Sequence, residues 1–384
     1  MEGYVYYSIV LFSFFIFLLY VYLFYEKILD LYSLRKKHFY EKEVIPFIDN
    51  LFLTLETRYV NKKQMQKLRK MVKNKTKRNI IIERIIHYNE IYSGTIRERL
   101  TMLCENSGLV YYETKKLKSR DHFKTALACK NLGEFRSERA IPSLLKVFKR
   151  SSLDIKYHSL MALAKIGNLE AFTQAFNLLD NKYFFSERSL TEIIDSYEGD
   201  KLKLYKAMIQ SENIFVSTVF INSAGNYMDI ELNNIILKYI DDNDKERRIA
   251  AIKAIGKNGD IRYIDEIIKM LYDKEWEVRA AAAKSLGRFE DERALYPLIK
   301  VLSDSVWWVR YNAANSLIKI KNGIDELEII LSGEDRFAKD IIISALEDSG
   351  VIQDIYLYEQ SKDESRKRLS ELIKKYIESK ETYR

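Results

Sequence analysis

A chain of 384 residues with 47% hydrophobic side chains can bury a large core, and 3 prolines and 13 glycines leave little sequence for linkers or disorder. Its two cysteines, Cys104 and Cys129, are too few for a disulfide framework and suit a reducing compartment. The net charge of +8 favours an anionic neighbour, either lipid or an acidic protein.

Tyr4 to Tyr25 carries no charge. As a helix it spans roughly 33 Å, enough for a hydrocarbon core of about 30 Å, with tyrosines at both interfaces. Residues 1–25 therefore read as a transmembrane anchor. A cleaved signal peptide fits less well, because no basic residue precedes the run and no small-x-small site follows it. Lys27, Arg35, Lys36 and Lys37 follow the span while Glu2 precedes it, which predicts a single-pass protein of the cell membrane with its carboxy-terminal bulk in the cytoplasm.

Residues 26–118 read as a basic helical juxtamembrane region. Leu29–Glu43 is a charged amphipathic segment, and Pro46 is placed to start a further helix. Lys62, Lys63, Lys67, Arg69, Lys70, Lys73, Lys75, Lys77 and Arg78 form a stretch with no acid among them. It reads either as a face for anionic lipid or as a solvated helix face. Nucleic acid is not expected, since aromatics are not interleaved through the run and the anchor is close by. Asn79–Tyr92, Ser93–Gly108 and Asp121–Gly133 read as further helices.

Residues 119–350 read as a repeat array, most regular from Ile240 to Ile320. Asp242, Asp273 and Asp304 recur at a spacing of 31, as do Arg248, Arg279 and Arg310, and Ile255, Leu286 and Leu317. A fixed period in this range marks stacked helical hairpins. One hairpin is Ala294–Leu302, a turn at Ser303–Ser305, and Val309–Ile318, with Val309, Ala313 and Leu317 on one stripe and the Ala313–Ala314 pair allowing close approach. Gly256 and Gly287 suit a positive-φ position after the second helix. Gly133 to Gly167 is a slightly long repeat. Gly167 to Gly225 holds two irregular ones that meet near Ser196, where Asp195-Ser196 replaces Leu-Gly. Phe337–Glu347 begins a last repeat, and residues 351–384, with a charged helix pattern over Asp354–Tyr383, read as a cap with a polar outer face.

The Asp turn, Val278-Arg279 and Val309-Arg310, the alanine pair and Leu286-Gly287 resemble short bacterial HEAT-like repeats; Arg247-Arg248 departs from Val-Arg. The resemblance implies an all-α fold, a right-handed α-solenoid of HEAT-like hairpins behind a single transmembrane helix, with Asp and Arg forming a ladder inside the stack. The ladder set is Asp242, Arg248, Asp273, Arg279, Asp304 and Arg310. The three arginines also read as an anion-binding row, but their regular pairing with aspartates favours the ladder. Gly94-x-x-Arg97-x-x-Leu100, Gly108-Leu109, Leu117–Ser119 and Leu132-Gly133 look like the opening of bacterial membrane-anchored HEAT proteins, a match over Gly94–Gly350.

Catalytic patterns are missing. His38, His87, His122 and His158 form no pair at metal-ligand spacing, and there is no Cys-x-x-Cys, phosphate-cradling glycine loop or nucleophile elbow. HEAT-type di-iron hydroxylases carry His-Glu pairs, which this chain lacks. No metal, cofactor or small-molecule substrate is expected, and the chain reads as a non-enzyme.

Trp276, Trp307 and Trp308 all fall at the starts of second helices, and tryptophan is favoured at binding hot spots. Trp308 is expected on the outer side. Trp307, about 100° away, would instead carry stability if it packs between repeats. Lys253, Lys284, Tyr311, Asn312 and Asn315 share the outer side of those helices, which in HEAT stacks lines the concave face. With Trp276 and Trp308 they form the expected groove for a protein partner at the membrane. The resemblance implies a scaffold, and such proteins are often found with envelope-polysaccharide glycosyltransferases. Two alternatives stay open: a HEAT-type lyase that attaches a bilin chromophore to protein, and a nucleic-acid-binding HEAT protein.

Overall fold

The computed structural model describes residues 2–57, 60–150, 152–179, 185–227, 229–357 and 363–382; part of the expected cap, Tyr383 included, lies outside the described residues. The described residues form α-helices and short 3-10 turns and contain no strand. They fall into two compact units, residues 1–175 with 196–199, and residues 176–195 with 200–384. The division lies inside the repeat region.

The first unit begins with one helix, α1 (Glu2–Thr57), long and apolar enough to cross a membrane. Pro46 does not start a new helix but lies inside this one. An interior proline costs about 3 kcal/mol. Here the flanking side chains Val44, Ile48, Leu51, Phe52 and Leu55 are all buried, and their packing offsets that cost. Next come α2 (Lys62–Lys73) and α3 (Lys75–Ile91), divided at Asn74, whose side chain accepts from the Thr76 and Lys77 amides and so caps α3. Helix α3 is tied to α1 by Arg84, which donates from Nε and Nη2 to Asp49 at 2.8 and 3.0 Å, and by the Tyr88 hydroxyl, which donates to Asp49 at 2.7 Å. The Tyr88 ring stacks on Phe52 at 3.9 Å. The unit continues with α4 (Thr95–Ser107), α5 (Leu109–Lys116), α6 (His122–Phe135), α7 (Ile141–Arg150) and α8 (Leu153–Ile166). Helices α5/α6 and α7/α8 are hairpins, and α3, α6 and α8 stack in turn. Helix α9 (Leu169–Asn177) follows, its residues divided between the two units.

The second unit runs through α10 (Glu187–Asp195), α11 (Lys201–Ile209), α12 (Ile214–Ala224), α13 (Ile230–Leu237), α14 (Lys245–Asn258), α15 (Ile264–Lys269), α16 (Trp276–Leu286), α17 (Leu295–Val301), α18 (Trp307–Leu317), α19 (Leu327–Ser332), α20 (Arg336–Ser349), α21 (Val351–Tyr356) and α22 (Glu364–Thr382). The second helices α12, α14, α16, α18 and α20 stack successively, and each packs on the first helix of its own hairpin. Val309, Ala313 and Leu317 are fully buried, as their spacing requires.

The repeat glycines serve a different purpose from the expected one. Gly256 lies inside α14, which is closed instead by Gly259 at φ 62°, and Gly287 has φ −65°. What these positions need is space. A Cβ on Gly256 would sit 2.5 Å from Ser285 Cβ, one on Gly287 2.8 Å from Ser316 Cβ, and one on Gly225 2.7 Å from Ala254 Cα. Each of these three glycines thus receives the small residue of the next second helix. The same contact recurs in the first unit between Gly133 and Ala162, at 2.7 Å. The serines add a rung, donating to carbonyl oxygens of the preceding second helix: Ser285 Oγ to Ile252 at 3.2 Å and Ser316 Oγ to Ala283 at 2.7 Å.

Candidate partner-binding face

The Asp–Arg ladder connects successive hairpins rather than closing each one. Each aspartate first secures its own turn, accepting from an amide two residues on: Asp242 from Asp244, Asp273 from Glu275 and Asp304 from Val306, each at 2.8 Å. Arg248 and Arg279 then reach forward. Arg248 meets Asp273 of the next hairpin at 2.9 Å and donates from Nη1 to the Asp242 carbonyl at 2.8 Å. Arg279 is bidentate to Asp304, at 2.7 and 3.0 Å, and donates to the carbonyls of Asp273 and Lys274 at 2.9 and 3.2 Å. Burial alone would push the Asp304 carboxyl up; the Arg279 hydrogen bonds and the Val306 amide reverse this and hold it below the usual carboxylate range. Arg310 bonds the Asp304 carbonyl at 2.6 Å, and its guanidinium lies 5.5 Å from the Phe337 ring. Arg247, which stands where Val is expected, donates backward to the Ser211 carbonyl at 2.9 Å. These guanidinium groups are engaged within the stack.

The aromatic residues lie at the same end of the second helices. Trp307 and Trp308 are 46% and 53% exposed, and Trp276, at the equivalent place on α16, is 39% exposed. Trp307 does not pack between repeats. It stacks on Tyr311 of its own helix at 4.9 Å and 18°, the i,i+4 geometry, while Trp308 stands at 78° to Trp307 and 88° to Tyr311. The three rings form a right-angled corner on the surface. Lys253 and Lys284 are exposed on α14 and α16. Asn312 and Asn315 are half-buried, and their NH2 groups donate to the Trp308 and Tyr311 carbonyls at 2.9 Å, so the donors expected for a partner are used within the helix. Exposed Tyr272 and Phe337 were not legible as surface groups, because aromatic residues in a repeat read equally well as core.

The basic stretch is not one surface. Arg78 is 8% exposed, donates to the Val72 carbonyl at 2.9 Å and lies 4.3 Å from the Tyr112 ring. It is not available to lipid, because the break at Asn74 turns the start of α3 into the core. Lys77 is half-buried and paired with Glu43. Arg69 donates to the Asn106 carbonyl at 2.8 Å, and Lys67 lies over the Phe47 ring at 4.6 Å. Lys62, Lys63, Lys70, Lys73 and Lys75 are exposed.

Both cysteines are buried free thiols; burial raises the pKa of each, that of Cys129 to about 12, so neither is a nucleophile near neutral pH. Among the described residues no group of three His, Cys, Asp or Glu side chains is placed to hold a metal. A groove of about 420 Å³ opens between α3, α5 and α6, lined in part by His87, Glu90, Lys116 and Asn131. Glu113 is fully buried and is held by Lys116 at 2.6 Å and by Asn131 Nδ2 at 3.1 Å.

The stacked hairpins, their small-residue contacts and the forward ladder define an all-helical HEAT-repeat solenoid. The family described as HEAT repeats matches residues 232–318 and, in an overlapping placement, 264–347. No curated protein matches. Solved structures similar to this chain include the following three. One is an engineered protein, at 16% identity over 81% of this chain and 98% of that chain, TM-score 0.33. The second is the complex of CpcE and CpcF of phycocyanin lyase from Nostoc sp., at 17% identity over 69% of this chain and 94% of that chain, TM-score 0.29. The third is a Kap121p mutant, at 13% identity over 84% of this chain and 42% of that chain, TM-score 0.46.

Proposed function

We propose that the chain is a single-pass membrane scaffold, without catalysis of its own, that holds a partner protein on the second-helix face of its second unit. The observation that carries this reading is the corner of Trp307, Trp308 and Tyr311, with Trp276 at the equivalent place on the preceding second helix. Large aromatic side chains left half exposed beside one another supply most of the energy of a binding surface when a partner covers them. The apolar run of α1 supports the anchor: its described side chains are exposed, and the helix continues without a break into the core of the first unit. The basic flank Arg35–Lys37 and the buried free thiols support a cytoplasmic location. That the partner belongs to an envelope-polysaccharide glycosyltransferase system rests on the resemblance over Gly94–Gly350.

Affinity capture of the full-length protein from native membranes tests the reading. A specific protein should be retained by wild type and lost with Trp308→Ala, and a carboxy-terminal reporter should be active only in the cytoplasm. A partner retained equally by both proteins would place the binding face elsewhere, and a mature chain lacking residues 1–25 would remove the anchor.

A further inference from the structure

Helix α1 has a second apolar face that the first unit does not cover. Between the end of the span at Tyr25 and the first buried core residue, Val44, the segment Glu26–Glu43 projects as helix for about 27 Å. Of its six exposed large hydrophobics, Leu29 and Leu34 lie off the common line, while Ile28, Leu31, Tyr32 and Phe39 are 48%, 47%, 67% and 70% exposed. At about 100° per residue these four, with Val21, Phe24 and Tyr25 of the span, lie within about 60° of one line along the helix. The core residues Val44, Ile48, Leu51, Phe52 and Leu55 point roughly opposite. Lys37 confirms the phase: it falls on the core side and pairs with Glu83 of α3 at 2.9 Å. The apolar stripe therefore leaves the span as one continuous line and faces away from the folded unit.

Its charge is one-sided. Exposed Arg35 interrupts the middle of the stripe, exposed Lys42 follows two turns on, and Lys36 flanks it. Glu43, on the same side, is already paired with Lys77. A second copy is a poor occupant, because the membrane forces a parallel pair in which Arg35 meets Arg35 and Lys42 meets Lys42. The lipid surface is also a poor occupant. No glycine or proline lies between Tyr4 and Glu43, so the segment continues the axis of the span and does not turn into the interface.

We propose that this face docks a helix of a different membrane protein, one that runs beside the span and carries a carboxylate at the level of Arg35. The proposal rests on the anchor reading above. It can fail while the anchor reading stands.

The test uses the full-length chain, fluorescently labelled in phosphatidylcholine vesicles. The probe is a synthetic single-span peptide whose helix extends three turns beyond the bilayer, with an apolar stripe and one glutamate at the level of Arg35. A twin peptide carries lysine there. Energy transfer should report at least tenfold tighter association with the glutamate peptide. Arg35→Glu should invert the preference, and Ile28→Ser with Phe39→Ser should weaken both. Ile28 and Phe39 are about half to two-thirds exposed and Arg35 is exposed, so the variants should keep the fold, which an unchanged melting temperature checks. Equal association of the two peptides, no inversion, or transfer between two labelled copies of the chain that displaces the peptide would each overturn the proposal. If the chain does not float with the vesicles, the anchor reading falls and takes this one with it; flotation without peptide preference defeats this one alone.

Discussion

Replacing Arg279 with alanine removes the best-formed rung of the ladder. The substitution deletes two charge-assisted hydrogen bonds to Asp304, at 2.7 and 3.0 Å, and two to the carbonyls of Asp273 and Lys274. The Arg279 and Asp304 side chains are 16% and 10% exposed, so solvent screens the pair little. Asp304 keeps the Val306 amide, and the turn carbonyls at Asp273 and Lys274 gain access to water. The cost is then the loss of one well-oriented ionic pair, about 2–3 kcal/mol. Arg310→Ala is the internal control. Its guanidinium bonds a carbonyl where Arg279 holds a carboxylate, and its loss should cost about 1 kcal/mol. Stacked repeats open locally, so hydrogen exchange of the peptide spanning residues 303–311 is the appropriate assay. Arg279→Ala should speed exchange there roughly thirty- to one-hundred-and-fortyfold, at about 1.4 kcal/mol per factor of ten. A double-mutant cycle with Asp304→Ala should show coupling above about 1 kcal/mol. Unchanged protection, or an equal effect from Arg310→Ala, would show that the rung does not hold the hairpins together. Loss of partner binding at unchanged stability would make the arginines a functional anion row.

Gly287→Ala should destabilise by about 1–3 kcal/mol despite the better helix propensity of alanine, because its Cβ meets Ser316 at 2.6 to 2.9 Å; a raised melting temperature would refute the close-approach role. Asp304 and Asp335 are held below the usual carboxylate range, Asp304 chiefly by Arg279 against burial and Asp335 by Ser303 and the Ala338 amide. A depressed folded pKa contributes stability above the unfolded value of about 4 that is lost as pH falls through the folded value. The urea midpoint should therefore fall in acid, less steeply for Asp304→Asn than for wild type, and parallel pH profiles would exclude the linkage. Trp307→Ala and Trp308→Ala should both leave melting near wild type, since both rings are about half exposed, while Trp308→Ala weakens partner capture at least tenfold, about 1.4 kcal/mol. A large loss of stability in either variant would mean that the ring packs between repeats.

The fold was legible because a period of 31 can only repeat if each hairpin buries the same stripe against the next; Val309, Ala313 and Leu317 could be assigned to the core from spacing alone. The apolar run of α1 was legible for a similar reason, since its length and lack of charge are properties of the chain. Contact partners were not. The sequence places an aspartate and an arginine six residues apart, yet the arginine ignores the near carboxylate and takes the one 25 residues on, because stacking brings the next turn beneath it. The glycines illustrate the same limit: sequence marks a position intolerant of a side chain, and only the approach of Ser285 or Ser316 shows that the cause is a neighbouring helix and not φ. Position on a surface is also a tertiary property. Arg78 belongs to a basic run and is buried, whereas Trp307 belongs to an apolar motif and lies on the surface, because the break at Asn74 and the stack onto Tyr311 set their directions. Only the unbroken continuation of α1 through Pro46 shows that the stripe through Ile28 and Phe39 faces away from the core, since that phase is fixed by which side of the helix Val44 and Leu51 bury.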